Sequence, residues 1–256
     1  MLFNLTSKVA IVTGGNGGIG LGMARGLARA GATVVVAGRN ADKSSAALRE
    51  LRELCVPGSE AFAVEVDVCD EASVAAMVAS TVGRCGRLDI LVNNAGINIR
   101  KPAQDLALDE WRQVIDTNLG SAFLCARAAY PHMKAAGAGK VINIGSMLSI
   151  FGASFAPAYG ASKGGVVQLT KSLAVAWAAD NIQVNAVLPG WIDTQLTQDA
   201  RQQISGLNER VLARTPAGRW GMPDDLAGVA VFLASAASDF ISGVAIAVDG
   251  GYSSAI

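Results

Sequence analysis

The stretch Lys8-Val9-Ala10-Ile11-Val12-Thr13-Gly14-Gly15-Asn16-Gly17-Gly18-Ile19-Gly20 decides the fold. Residues 8–12 form a short apolar, β-branched run of strand length. Thr13 to Gly20 is a glycine-rich turn, and an alanine- and leucine-rich amphipathic segment follows. Glycines permit a tight turn and let backbone N–H groups approach a pyrophosphate at the start of the next helix. The spacing, Gly14-x-x-x-Gly18-x-Gly20, is looser than the dinucleotide fingerprint Gly-x-Gly-x-x-Gly. No Lys-Ser/Thr follows, so it is not a Walker loop. The turn is either a structural bend or a phosphate cradle built from Thr13, Gly14, Asn16, Gly18, Ile19 and Gly20.

The same strand-turn-helix grammar continues along the chain. It predicts further strands over 32–37, 61–66, 88–92, 140–144, 183–187 and 244–248, with helices between them, including 109–132 and 159–178. Short β-rich runs alternating with longer helical segments make a parallel sheet with crossover helices. The expected fold class is α/β: one Rossmann-type, doubly wound parallel sheet of about seven strands with helices on both faces. Ligands then bind at the carboxyl ends of the strands. No linker, repeat or low-complexity stretch divides residues 1–256, which read as one domain. Residues 190–216 are longer than an ordinary connection and leave a strand's carboxyl end. They are a surface insertion or a lid over the site.

Composition narrows the partners. Of 256 residues 51% are hydrophobic, and 21 Lys and Arg balance 21 Asp and Glu. A net charge of zero with no basic patch or charged tail argues against nucleic acid and for small molecules and copies of itself. The four cysteines, Cys55, Cys69, Cys85 and Cys125, contain no Cys-x-x-Cys pair, which reads as free thiols without zinc in a reducing compartment. No apolar run reaches transmembrane length and no secretory leader is evident. The expectation is a cytoplasmic protein with neither membrane nor metal. His132, the single histidine, sits after Pro131 and can anchor neither a metal nor a Ser-His triad alone.

The chemistry gathers at Tyr159-Gly160-Ala161-Ser162-Lys163, with Ser146 upstream. On a helix, residues four apart share a face. An ammonium beside a phenol favours phenolate and lowers its pKa from about 10, which makes Tyr159 a proton donor or acceptor near neutrality. At the second strand's end, an acid would hold the ribose hydroxyls of NAD, whereas an arginine accommodates the 2′-phosphate of NADP. The chain places Gly38-Arg39 there, so NADP(H) is expected over NAD(H), unless Arg39 is merely solvated or stacks on adenine. Glu65 and Asp67 alternate along the third strand on one face and are no hydrolytic pair. Trp111, Trp177 and Trp220 are read as packing, while Trp191 faces the substrate region.

The glycine turn, Asn93-Asn94-Ala95-Gly96, Asn118, Ser146, Tyr159, Lys163 and Pro189-Gly190 occur together in that order. Jointly they resemble the short-chain dehydrogenase/reductase family over nearly the whole chain. The resemblance implies carbonyl/alcohol redox chemistry with a nicotinamide cofactor, commonly in a homotetramer. It implies that Ser146 polarises the substrate oxygen, Tyr159 exchanges its proton and Lys163 holds the nicotinamide ribose while depressing the tyrosine pKa. Asn118 would fix a water leading from Lys163 to solvent. Asn94, Ala95 and Gly96 would border the cofactor, Asp67 and Val68 the adenine, and Pro189, Gly190, Ile192 and Thr194 the nicotinamide end.

Within the family, Ile144-Gly145-Ser146-Met147-Leu148-Ser149, Arg214-Thr215-Pro216-Ala217-Gly218-Arg219-Trp220-Gly221 and Val248-Asp249-Gly250-Gly251 resemble the gluconate 5-dehydrogenase and 2-deoxy-gluconate (2-keto-3-deoxygluconate) dehydrogenase branch. Arg100-Lys101 either neutralises a substrate carboxylate there or is a solvated pair. Substrate contacts are expected from Arg100, Ser146, Met147 and Trp191, with Arg214 and Arg219 as internal salt-bridge partners. The expected function is NADP(H)-dependent interconversion of a secondary alcohol and ketone on a sugar or sugar acid, within carbohydrate metabolism. Its rivals are a 3-oxoacyl-carrier-protein reductase and a non-catalytic cofactor sensor.

Overall fold

Seven β-branched and small-residue stretches become strands: β1 (Val9–Thr13), β2 (Thr33–Ala37), β3 (Ala61–Val64), β4 (Ile90–Asn93), β5 (Gly139–Ile144), β6 (Ile182–Pro189) and β7 (Ala245–Val248). They form one sheet in the order β3-β2-β1-β4-β5-β6-β7, every neighbour parallel. These coordinates come from a computed structural model that describes residues 2–255. Every residue of β1, β4, β5 and β6 is buried, because helices cover both faces of a parallel sheet. The expected fold class is the one found. Strand order reverses between β1 and β4, which opens a crevice above their carboxyl ends.

Alternate residues of each strand feed two separate cores, as a period of two demands. Ala10, Val12, Val34, Val36, Ile90, Val92 and Ile142 pack under α1 (Gly18–Arg29), α2 (Ala41–Leu54) and, near the carboxyl terminus, Ala227–Ala234. Val9, Ile11, Val35, Leu91, Val141 and Val184 pack on the other face under α3 (Glu71–Cys85) and the segments Ser121–Ala135 and Pro157–Trp177. Two α1 glycines set the first layer's spacing. A Cβ at Gly22 would lie 2.1 Å from the Pro223 carbonyl oxygen, and one at Gly26 2.8 Å from that of Ala227.

Several predicted boundaries shift for physical reasons. The helix expected over 109–132 is α4 (Leu108–Ile115), a π-helical turn (Asp116–Gly120) and α5 (Ser121–Ala135). The widened turn carries Asn118, and periodicity alone does not register one inserted residue. The helix expected over 159–178 is α6 (Pro157–Trp177), starting on a proline already set for a first turn. β3 stops at Val64, so Glu65 and Asp67 do not share a strand face. The Asp67 carboxylate instead accepts from the Cys69 N–H at 3.0 Å. Residues 190–216 hold α7 (Gln195–Gln203) and α8 (Leu207–Arg214), packed through Ala200, Leu207 and Val211 against Trp191, Ile204 and Trp220. The remaining helix, Ala227–Ala234, is α9. Trp177 stacks on Tyr130 with centroids 4.8 Å apart, whereas Trp111 stands exposed instead of packing.

At the opposite end of the sheet, Asp89 ties β4 to β1. Its carboxylate accepts from the Val9 N–H at 2.9 Å, from Lys8 at 3.1 Å and from both ends of the Arg87 fork. Burial alone raises its pKa, but the bonds from Arg87, Val9 and Lys8 outweigh that and leave it below the usual carboxylate value. A depressed acid pKa contributes stability that is present above the unfolded value and lost as pH falls through the folded one. Asp89→Asn is therefore expected to cost about 1–3 kcal/mol near neutrality. That deficit relative to wild type should shrink below about pH 4, where the wild-type carboxylate protonates too. Urea titrations of both proteins at several pH values measure it.

Candidate active site

Above the carboxyl ends of β1, β4, β5 and β6 lies a cavity of about 750 Å³. It runs from Gly14, Asn16, Gly18 and Ile19, past Asn94, Ala95 and Gly96, to Ser146, Met147, Tyr159 and Lys163. Pro189, Gly190, Trp191, Ile192, Thr194 and Arg100 complete the wall. Seventeen residues singled out in the sequence, from five separate stretches of chain, thus meet in one space. Arg39, Asp67, Val68, Thr13, Gly20 and Asn118 do not line it.

The glycine turn fits a dinucleotide phosphate. Gly14 and Gly18 adopt φ of 62° and 51°, which side chains resist, and nothing stands within 4 Å of where a Gly17 Cβ would be. Twelve-residue α1 then points its free N–H groups at the open space, with no acid in its first turn. Thr13 and Gly20 hold this cradle from behind. The Thr13 hydroxyl accepts from the Asn94 and Ala95 N–H groups at 3.0 and 3.1 Å. A Cβ at Gly20 would press within 2.4 Å of the Gly14 carbonyl and of the Asn94 amide, whose Nδ2 bonds the Thr13 carbonyl at 2.9 Å. Arg39 is exposed beyond β2, just before the α2 cap Asn40, and Asp67 and Val68 lie past β3. Lys43, one turn into α2, lines the cavity instead.

A buried polar ladder seats α6. Asn93 Nδ2 donates to Asn143 Oδ1 at 2.9 Å, and Asn143 Nδ2 donates to Thr170 Oγ1 at 2.9 Å, joining β4, β5 and α6. Asn93 also reaches the Ala122 carbonyl on α5 at 3.2 Å. Closer to the site, Ser149 Oγ donates to the Lys163 carbonyl at 2.8 Å and accepts from the Ser146 N–H at 3.1 Å. These bonds bring Ser146, at the end of β5, beside the first turns of α6.

Lys163 is 4% exposed, and its Nζ donates to the Ile144 carbonyl at 2.6 Å, 5.7 Å from the Tyr159 ring centroid. Burial pushes its pKa down to about 8. The expectation that Lys163 depresses the tyrosine pKa is not what the charges here do. Burial raises Tyr159, and the groups pulling it back are the Ser146 hydroxyl and then the Arg100 guanidinium. Desolvation acts on ammonium and phenolate alike, so neither charge is favoured without a further polar partner. The Asn118 side chain makes three hydrogen bonds: Nδ2 donates to the Ile97 carbonyl at 3.0 Å and to Ser162 Oγ at 2.9 Å, and Oδ1 accepts from the Ile97 N–H at 2.8 Å. These bonds clamp the loop carrying Gly96 onto α6.

Arg100 donates from one guanidinium nitrogen to the Leu196 carbonyl at 2.7 Å and from the other to Gln203 at 3.3 Å, fastening α7. Lys101 is taken by Glu110 at 2.5 Å and stands apart from it. Arg219 pairs with Asp225 as expected, at 2.7 Å, but Arg214 forms no ion pair among the described residues. Asn98, Arg210, Phe151 and Tyr252 also line the cavity, and no motif marked them; Arg214, expected in an internal salt bridge, lines it too. The Asn98 Oδ1 is buried without a partner. Five cations line the space, Lys43, Arg100, Lys163, Arg210 and Arg214, and no aspartate or glutamate does.

Residues 14–253 match the protein family described as Enoyl-(Acyl carrier protein) reductase. The chain is 43% identical over 251 residues to a 2-dehydro-3-deoxy-D-gluconate 5-dehydrogenase of Bacillus subtilis, covering 98% of this chain and 96% of that one. It is 42% identical over 246 residues to a cis-4-hydroxycyclohexanecarboxylate dehydrogenase of Sinomonas cyclohexanicum, covering 96% of each. It is also similar to the crystal structure of a gluconate 5-dehydrogenase from Burkholderia cenocepacia in complex with NADP and tartrate. There the identity is 42% and the TM-score 0.92, with 99% and 98% of the two chains covered.

Lys163 makes a two-sided prediction. A lysine whose folded pKa is about 8 against 10.5 unfolded destabilises the fold fully below about pH 8, and that penalty fades as pH rises to about 10.5. Lys163→Met should abolish turnover yet melt above the cofactor-free wild type at pH 7, the advantage shrinking by pH 10. Calorimetric scans against pH test it. A variant that melts lower at pH 7 would contradict it.

Proposed function

The chain belongs to the short-chain dehydrogenase/reductase family and is an oxidoreductase; on that premise we propose that it interconverts a secondary alcohol and its ketone on a sugar acid, with NADP(H) as cofactor. The observation that carries the substrate class is the cavity's charge: five cations and no acid, in a chain whose net charge is zero. Part of that charge serves the phosphates of a dinucleotide. Arg100, Arg210 and Arg214 lie at the other end, beyond Tyr159, where only substrate would meet them. Arg100 and Arg210 already reach neutral acceptors of the protein, but a neutral alcohol brings this cluster no counter-charge, and a carboxylate does.

The nicotinamide supplies or takes up the hydride when bound. The protein's own residues handle the proton. Ser146, held by Leu148 and Ser149, donates to the substrate oxygen and fixes it. Tyr159 takes that oxygen's proton during oxidation and returns it during reduction. Lys163, whose Nζ already meets the Ile144 carbonyl, would hold the hydroxyls of the nicotinamide ribose with its remaining donors. Asn118 positions the Gly96 loop. Met147 and Trp191 shape the apolar side of the substrate, and the α7–α8 segment is its lid, with Arg100 as a fastening.

NADP preference is supported by the missing acid after β2, by Arg39 and Lys43 at that edge, and by NADP in the Burkholderia cenocepacia structure. We place the protein in the cytoplasm; no helix among the described residues is long and apolar enough to cross a membrane. We also propose a homotetramer, which the fully exposed Phe240 and the exposed Val175 and Phe123 favour. A 3-oxoacyl-carrier-protein reductase would share the catalytic positions. The relatives named above act on hydroxy acids by their names, and that favours the first reading.

Initial-rate assays with gluconate-type acids, matching polyols and acetoacetyl thioesters, each with NADP(H) and NAD(H), test this. Expected is a kcat/KM at least about tenfold higher for acids than polyols, a difference of about 1.4 kcal/mol, and a similar margin for NADP. Faster turnover of thioesters would favour the carrier-protein reading. Tyr159→Phe should lower kcat by about 10²–10⁴ while NADPH still binds, as followed by its fluorescence.

A further inference from the structure

Three arginines, Arg100 from a loop and Arg210 and Arg214 from α8, line the substrate end of the cavity, and they are not equivalent. Arg100 spends its fork on the Leu196 carbonyl and Gln203. Arg210 donates to the Ser205 carbonyl at 2.9 Å. Arg214, the last residue of α8, makes no hydrogen bond or ion pair among the described residues. It is held by aromatic faces instead. Its guanidinium carbon lies 4.4 Å from the Tyr252 ring centroid and 5.0 Å from that of Phe151. The two rings meet edge to face, 6.2 Å apart and at 73°.

Stacking engages the flat faces of a guanidinium and leaves its N–H edge free. Both rings are fixed by their own backbones. The Phe151 N–H bonds the Met147 carbonyl at 2.9 Å, so this ring is tied to the residue next to Ser146. Tyr252 sits in a turn whose Asp249 carboxylate accepts from the Gly251 and Ser253 N–H groups at 2.9 and 2.7 Å. That turn is joined to the end of α8 by the Ala217 N–H to Gly250 carbonyl bond at 3.0 Å. Arg214 is thus an oriented, exposed cation with unused donors, on the same wall as the catalytic serine.

We infer that Arg214, clamped between Phe151 and Tyr252, is the receptor for the substrate's carboxylate, and that Arg100 is a fastening for α7. The inference rests on the sugar-acid reading above and names the residue that enforces it. A bidentate carboxylate pair requires two parallel N–H donors in one plane; Arg100 spends both terminal nitrogens and Arg210 one, whereas Arg214 keeps its whole fork free among the described residues.

The test measures KM and kcat of the NADP(H)-loaded enzyme on an acid, D-gluconate or 2-dehydro-3-deoxy-D-gluconate, and on D-glucitol as a neutral counterpart, with an inhibition constant replacing KM where a compound is not turned over. Arg214→Gln should raise KM for the acid by about 10- to 100-fold, the loss of one charge-assisted contact, and collapse the acid-to-neutral ratio. Arg214→Lys, which keeps charge but not the fork or the stacking, should fall between. NADPH affinity by fluorescence and the melting temperature should stay at wild-type values, which separates lost recognition from lost folding. Arg214→Gln that preserves the acid preference, while Arg100→Gln removes it, would overturn the inference and leave the sugar-acid reading intact. A wild-type enzyme with no preference for acids would overturn both.

Discussion

An ammonium group buried at the end of a parallel sheet is the constraint on which this molecule turns. Lys163 reaches the Ile144 carbonyl, the last of β5, at 2.6 Å, and in doing so pins the first turns of α6 over the strand ends. Burying a charge is costly unless its donors are satisfied, and one carbonyl satisfies only part of an ammonium. The pKa pushed down to about 8 registers what is missing. A polyhydroxyl ligand in the crevice would supply the acceptors this ammonium still lacks, which supports the ribose role proposed for Lys163. Stability is given up where binding is needed.

Two rigid supports keep that arrangement in register. From below, the Asn93–Asn143–Thr170 ladder crosses from β4 to β5 to α6 inside the core, where each amide finds a partner in a neighbouring element. From the side, Asn118 clamps the Gly96 loop onto Ser162 of α6, and it does so from a π-helical turn. An inserted residue in a helix rotates one side chain out of the regular stripe. Here it turns a polar group inward to join two elements that sequence separates widely.

The other wall is built differently. α7 and α8 hold a small core of their own around Leu207 and Val211, with Trp191 and Trp220 in edge contact at 5.6 Å. Their polar faces bring arginines to a cavity whose floor is made of sheet ends and glycine. The groups proposed for catalysis thus come from the sheet and α6, while the arginines proposed to meet the substrate come from a loop and a short helix above. Such a division lets one chemistry serve different substrates by changing the upper wall alone.

Much of this could be read from residues in order. The seven strands, the glycine turn, the Tyr159–Lys163 helix face and Ser146 are local patterns, since β-branched runs, φ-positive glycines and four-residue spacing act within a few residues of themselves. What the sequence determined is therefore the sheet, the crevice and the family of chemistry. Local patterns carry no charge map. That Arg39 stands outside the cavity while Lys43 lines it, that Arg100 is committed to α7, and that Arg214 is gripped by Phe151 and Tyr252, more than sixty residues before it and nearly forty after, depends on how distant segments close over one another. The sign of the Tyr159 shift also belongs to that closure, because desolvation is a property of the packed site and not of the Tyr-x-x-x-Lys spacing.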